Sequence, residues 1–252
     1  MFLNQSYIEV NREERHYCSL LAHALLSSEI VREEFAALVS EEVKLDPAQT
    51  EVFIEVAALR DYWHALYDGN PRLYNDTTSA NRKAFLEEIL TIYDIPIDII
   101  GKEKLFWTKG IGSKLWNPGH WTIPEIEKPK LGHIDQLKKL KWAFNAKPDM
   151  MIVSNNQAIL VEAKLESGEG KYGDDGIGQR EIQETIGELM PKLIIPAFED
   201  IVFHNMLLAK KLPKDNEWQL SITWKEIIEI IMKAKAQLDA FTVNNFEQLL
   251  KR

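Results

Sequence analysis

The apolar residues of this chain recur with two different periods. Tyr17, Leu20, Leu21, Ala24 and Leu25 follow helical spacing, and Asn11 with Glu14 resembles a capping box, so a helix is predicted over Asn11 to Ser27. A second helix is predicted from Ser28 to about Val43. Asp46-Pro47 is expected to cap a third, ending near Asp68-Gly69-Asn70-Pro71. A fourth is expected from Ser79 to Tyr93, stopped by Ile95-Pro96. The pattern then breaks. GIGSKLWNPGHWTIPEIEKPK holds three prolines and two tryptophans and reads as loops and short strands. After it, two apolar runs flank Ser154-Asn155-Asn156-Gln157, which predicts a β-hairpin. Gly176 to Met190 reads as a helix, and Glu217 to Thr223 alternates like a strand. Thr223 and Glu226 then form a capping box for a helix through about Leu238. The expected architecture is an α/β fold with a helical N-terminal region over 1–95, able to contribute the first core helix, and a mixed core over 96–252.

Composition sets limits on this picture. Of 252 residues, 45% are hydrophobic and 27% charged, as in an ordinary globular protein with ample length for a core. Cys18 is the only cysteine, so no intrachain disulfide forms and a reducing, cytoplasmic setting is expected. The start, MFLNQSYIEVNREER, has no long apolar segment, so no signal peptide is expected. No apolar run approaches the ~20 residues of a membrane span. The net charge of −9 argues against a general nucleic-acid binder. Locally the balance reverses. Lys128 to Lys147 contains six lysines against one acid, an excess of five positive charges. Those lysines are either a solvated face or a patch that attracts phosphates, with Lys138, Lys139, Lys141 and Lys147 as its core. Trp116, His120 and Trp121 are likewise open to two readings, as a base-stacking surface or as anchors of a long loop.

The hairpin carries charges that a buried sheet does not tolerate easily. With Asn155 and Asn156 as the loop, Asp149 falls directly opposite Glu162, their Cβ atoms ~5 Å apart. Lys164 shares the face of Glu162, and Ala163 takes the other. Like charges facing across a ladder are destabilising. A divalent cation removes the conflict, and hard oxygen ligands suit Mg²⁺ or Mn²⁺. The alternative is an exposed sheet end where Lys164 pairs with one of the acids.

Pro148-Asp149, a twelve-residue gap, then Glu162-Ala163-Lys164 resembles the PD-(D/E)XK motif of the restriction-endonuclease-like nuclease superfamily. The resemblance spans roughly Lys147 to Met190 and implies a mixed β-sheet core flanked by helices. It implies metal ligation by Asp149, Glu162 and the Ala163 carbonyl, with Lys164 as the catalytic lysine. The family's helix after the lysine strand sometimes carries a glutamine facing the site. Here Gln179, Ile182, Gln183, Ile186, Leu189 and Met190 share one helical face, which makes Gln179 the candidate, ahead of Gln183. An early-helix acid often joins the metal. Glu14 lies within the apolar stripe of the first helix, and Glu13 and Glu55 compete with it.

The function implied is Mg²⁺- or Mn²⁺-dependent hydrolysis of nucleic acid, DNA favoured over RNA, of the kind seen in the family's prokaryotic defence nucleases. The protein would act as a homodimer, with a partner protein or alone. A second reading is a fold-retaining binding or regulatory module that is silent or needs an effector or partner. Lys164→Ala is expected to abolish cleavage with little loss of folding. Gly168 to Gly178, with Glu169, Asp174 and Asp175, reads as a mobile loop beside the substrate. The six histidines form no HxH or HxxxH pair, and no GxxxxGK[ST] loop is present.

Overall fold

The computed structural model describes residues 14–66, 76–107, 115–128, 132–165, 171–172, 177–193 and 200–251. Expectations for Asn11, Glu13, Asp68 to Pro71, Lys130 and most of the 168–178 loop fall outside these residues. The chain forms two compact units, neither of them continuous in sequence. One gathers 1–56, 148–170 and 201–252, and the other 57–147 and 171–200.

The first unit is built on a five-stranded mixed sheet. Its elements are helix α1 (Glu14–Ser27), helix α2 (Glu29–Leu38), strand β1 (Thr50–Ile54), strand β2 (Met150–Ser154) and strand β3 (Gln157–Lys164). The second unit begins with helix α3 (Ala58–Ala65), helix α4 (Asp76–Ile92), and short helices α5 (Ile99–Lys102) and α6 (Ile123–Glu127). Helix α7 (Ile134–Asn145), the two-residue strands β4 (Lys171–Tyr172) and β5 (Ile177–Gly178), and helix α8 (Gln179–Leu189) complete it. The chain then returns to the first unit through β6 (Val202–Ala209), β7 (Leu220–Thr223), α9 (Trp224–Lys233) and α10 (Ala240–Leu250). The sheet order is β1-β2-β3-β6-β7. β1, β2 and β3 are antiparallel neighbours, while β6 and β7 run parallel to β3.

Local chemistry explains most of these elements. Tyr17, Cys18, Leu21, Ala24 and Leu25 form the buried stripe of α1. Ser28 caps α2, its hydroxyl accepting from the Val31 N–H at 3.2 Å. Asn155 takes φ 52°, the left-handed conformation that the tight turn needs and asparagine tolerates. Ser154 then pairs with Gln157 and Met150 with Val161, the register expected from the sequence. Thr223 and Glu226 form the expected capping box, although α9 ends at Lys233 rather than near Leu238. Met150, Ile152, Ile159 and Val161 join the buried stripe of α1, Trp224 and Phe246 in one apolar core.

The third expected helix is corrected. Asp46 does cap, accepting from the Ala48 N–H at 3.0 Å, but it starts only a 3₁₀ turn, and β1 follows. Thr50, Val52 and Phe53 belong to residue types favoured in strands, and pairing with β2 holds them extended. β6, α7 and α10 had no counterpart in the sequence reading. In β6, His204 and Asn205 interrupt the apolar run. Each is bonded by a neighbour, His204 through Nε2 to Gln157 Oε1 at 2.8 Å and Asn205 to Gln219, whose N–H it accepts at 3.0 Å, while the buried His204 Nδ1 has no partner among the described residues.

In the second unit, Trp63, Phe85 and Phe144 pack edge to face or tilted, with ring centroids 6.1 to 6.4 Å apart. The Arg82 guanidinium lies 5.1 Å from the Trp63 ring. Among the described residues, no helix is long and apolar enough to cross a membrane.

Candidate active site

The end of the β2–β3 hairpin assembles the charged residues. Asp149 immediately precedes β2, and the register puts it opposite Glu162. Its carbonyl accepts from the Glu55 N–H at 3.2 Å, which ties it to the end of β1. Its Oδ2 accepts from the Ala163 N–H at 2.9 Å. The side chain therefore occupies the place where the ladder would have continued.

Pro148 explains why the ladder stops. Successive residues of a strand send their backbone groups to opposite neighbours. The Lys164 carbonyl accepts from the Lys210 N–H on the β6 side, so the backbone groups of Ala163 face β2. The register continued there places Pro148, which has no N–H to give the Ala163 carbonyl. The paired ladder of β2 and β3 accordingly ends at Met150 and Val161.

Lys164 Nζ lies 2.6 Å from Glu162 Oε1, and Glu162 is 6% exposed. The Lys164 backbone is held from two directions, by the Lys210 N–H at 3.1 Å and by the Trp224 indole N–H at 3.1 Å. Glu14 reaches the same place from α1, its Oε1 accepting from the Leu165 N–H at 3.0 Å. Beneath these groups the Cys18 thiol is fully buried.

The electrostatics follow from this crowding. Burial pushes the Asp149 carboxyl up, and the charge of Glu14 adds to the effect, while the Ala163 N–H, Lys164 and Arg15 oppose it. Burial alone would push the Lys164 ammonium down. The charge and hydrogen bond of Glu162, supported by Glu14 and Asp149, outweigh it and hold the pKa above the usual lysine value. Burial and the same three acids push the Cys18 thiol well up. When ionised, three carboxylates against one ammonium leave two negative charges uncompensated.

Asp149 and Glu162 are the oxygen donors that the sequence pattern assigned to a hard divalent cation, and Glu14 bonds the Leu165 N–H at the same strand end. Among the described residues, no three His, Cys, Asp or Glu side chains are drawn together as a ready-made cluster.

Other candidates lie elsewhere. Gln179 opens α8 in the second unit and is half-buried, whereas Gln183 is 3% exposed on the same helix. Helical spacing found the face, but not which glutamine is deeper. Lys138, Lys139, Lys141 and Lys147 also belong to the second unit. Lys138 bonds Glu127 at 2.9 Å, Lys139 pairs with Glu181 at 3.4 Å, and Lys141 Nζ lies 4.0 Å from the Trp142 ring centroid. Lys147 is exposed. Trp121 is 1% exposed against Phe106, so it anchors a loop and is not available to stack on bases. Glu55 pairs with Arg15 at 3.0 Å rather than joining the central acids. Trp224 and Cys18 were missed from sequence, because nothing in a local window ties them to Lys164.

Comparison with protein-family models, with curated proteins and with solved structures finds no match for this chain.

Proposed function

We propose that this site hydrolyses phosphodiester bonds of nucleic acid, DNA favoured over RNA, with the help of Mg²⁺ or Mn²⁺. The observation that supports this most is that Asp149, bonded to the Ala163 N–H, and Glu162, bonded to the Lys164 ammonium, meet at one end of the hairpin, opposite each other when the register is continued one residue past Met150–Val161. The mixed sheet, the glutamine-bearing helix after the lysine strand and the early-helix acid all accord with a restriction-endonuclease-like fold.

A divalent cation held by Asp149, Glu162 and the Ala163 carbonyl would polarise the scissile phosphate and lower the pKa of an attacking water. Lys164 supplies what the acids cannot. Its side chain is bonded to Glu162, whose charge favours the ammonium form. It would orient the water and neutralise charge gathering on the phosphate. The Trp224 and Lys210 bonds to its carbonyl fix where its side chain starts. As the water oxygen bonds to phosphorus, the bond to the leaving oxygen breaks in line, solvent taking the water's proton and supplying one to the leaving oxygen.

The test is a cleavage screen over supercoiled plasmid, single-stranded DNA and structured RNA with Mg²⁺ or Mn²⁺. Metal-dependent cleavage that falls by about 10²–10³ in a Lys164→Ala protein shown to be folded under the assay conditions supports the proposal. Equal cleavage by that variant removes Lys164 from the mechanism, and no cleavage of any substrate contradicts autonomous nuclease activity.

A further inference from the structure

Arg15 is adjacent in sequence to Glu14, and its side chain is 69% exposed. Its Nε lies 3.0 Å from Glu55 Oε1, and Glu55 is its only ionic partner among the described residues. Glu55 has an unusual backbone. Its φ of 52° is left-handed, which a glutamate rarely adopts, and it follows directly on β1. The Glu55 N–H is fastened to the Asp149 carbonyl at 3.2 Å. A strained residue is thus clipped to one site residue through its backbone and holds a guanidinium through its side chain. Arg15 is also close enough for its charge to act on Asp149.

An exposed surface ion pair adds little to stability. Keeping this one on a strained residue calls for another explanation. Glu14, Glu55, Asp149 and Glu162 make the locality acidic, and a polyanion approaching it is repelled unless a cation meets it at the rim. Lys164 is engaged by Glu162 inside the site. Arg15 is a solvent-facing cation tied to the same frame, through Glu55 and the Asp149 carbonyl. Its planar fork matches two phosphate oxygens at once, and a carboxylate bonded at Nε fixes the plane of that fork.

We propose that Arg15, held in place by Glu55, anchors a nucleic-acid backbone phosphate next to the scissile one. The inference rests on the nuclease reading of the site. It adds a substrate-positioning residue that the motif does not contain. Removing it weakens backbone binding without regard to base sequence.

The experiment is fluorescence anisotropy with three labelled probes, a duplex DNA, a single-stranded DNA and an RNA hairpin. Ca²⁺ replaces Mg²⁺, and salt is varied. Arg15→Ala raises the Kd for the preferred probe roughly tenfold, in line with the loss of a charge-assisted hydrogen bond. It also lowers the slope of log Kd against log salt by about 1. Arg15→Lys keeps the slope and recovers only part of the affinity, because the fork is lost. Glu55→Gln lies between the wild type and Arg15→Ala. An Arg15→Ala protein with unchanged Kd and salt slope overturns the inference while leaving the nuclease reading intact. A wild-type protein that binds none of the three probes overturns both.

Discussion

Lys164 Nζ stands 2.6 Å from Glu162 Oε1, and the two side chains are only 12% and 7% exposed. A surface pair of this kind contributes ~0–1 kcal/mol, whereas breaking a buried one costs ~3–5 kcal/mol. The expectation that Lys164→Ala would scarcely affect folding is therefore corrected. The substitution leaves a carboxylate in a dry place without its ammonium. Lys164→Ala is predicted to lose on the order of 3 kcal/mol in urea unfolding and about 10²–10³ in cleavage rate. Lys164→Met combined with Glu162→Gln is predicted to regain most of the stability and none of the activity. The stabilisation has a defined pH window. Because the folded pKa of Lys164 is raised, the contribution is complete below the usual value of 10.5 and is lost as pH rises through the higher folded value.

Asp149 shows the opposite balance. Its pKa is raised, chiefly by burial, so the native state holds its proton more tightly than the unfolded chain does. Stability falls as pH rises from 3.8 through the folded value, and the ionised carboxylate burdens the fold at neutral pH. Asn in its place can still accept the Ala163 N–H. Asp149→Asn is therefore predicted to be more stable than wild type at pH 7 and to lose cleavage by about 10²–10³. Parallel urea titrations and plasmid assays measure both. Equal or lower stability at pH 7 would contradict the assignment of burial as the dominant effect.

Glu14 has one observed role, accepting from the Leu165 N–H, and one proposed role at the cation, and substitution can separate them. Glu14→Gln keeps an acceptor for the Leu165 N–H and removes the charge, so folding should change by less than about 0.5 kcal/mol. Glu14→Ala also loses the hydrogen bond, at a cost of about 1 kcal/mol. Both variants are predicted to bind Mn²⁺ more weakly, and calorimetric titration checks this. Loss of affinity only in Glu14→Ala would make Glu14 a purely structural clamp on the end of β3.

Cys18 is predicted to be inert in the native protein. It is fully buried, and burial together with Asp149, Glu14 and Glu162 pushes its thiol well above the usual range. The thiolate is the reactive form. Reaction with a disulfide reagent should be slow at pH 8 and become rapid in denaturing urea. Rapid native reaction would show that the α1–β3 contact opens readily.

How much of this could be read from the residues depended on distance along the chain. The hairpin was legible because a short loop fixes its own register, so the Asp149–Glu162 pairing followed from Asn155-Asn156 alone. Glu14 was legible as a charge on an apolar helical face. β1 was not. Only Thr50 and Val52 are even half-buried along its inward side, which gives little alternation, and Asp46-Pro47 looks like a helix start. β6 hid behind His204 and Asn205, whose partners lie on other strands. The hold of Trp224 on the Lys164 carbonyl spans sixty residues, and no local pattern encodes it.

The most direct test of the central claim is calorimetric titration of Mn²⁺ into the wild type, Asp149→Asn and Glu162→Gln at pH 7. The account predicts a saturable isotherm for the wild type that is abolished or weakened at least tenfold in each variant, both of which remain folded. Undiminished binding in either folded variant, or no binding by the wild type, would contradict the claim that the two acids share a divalent cation.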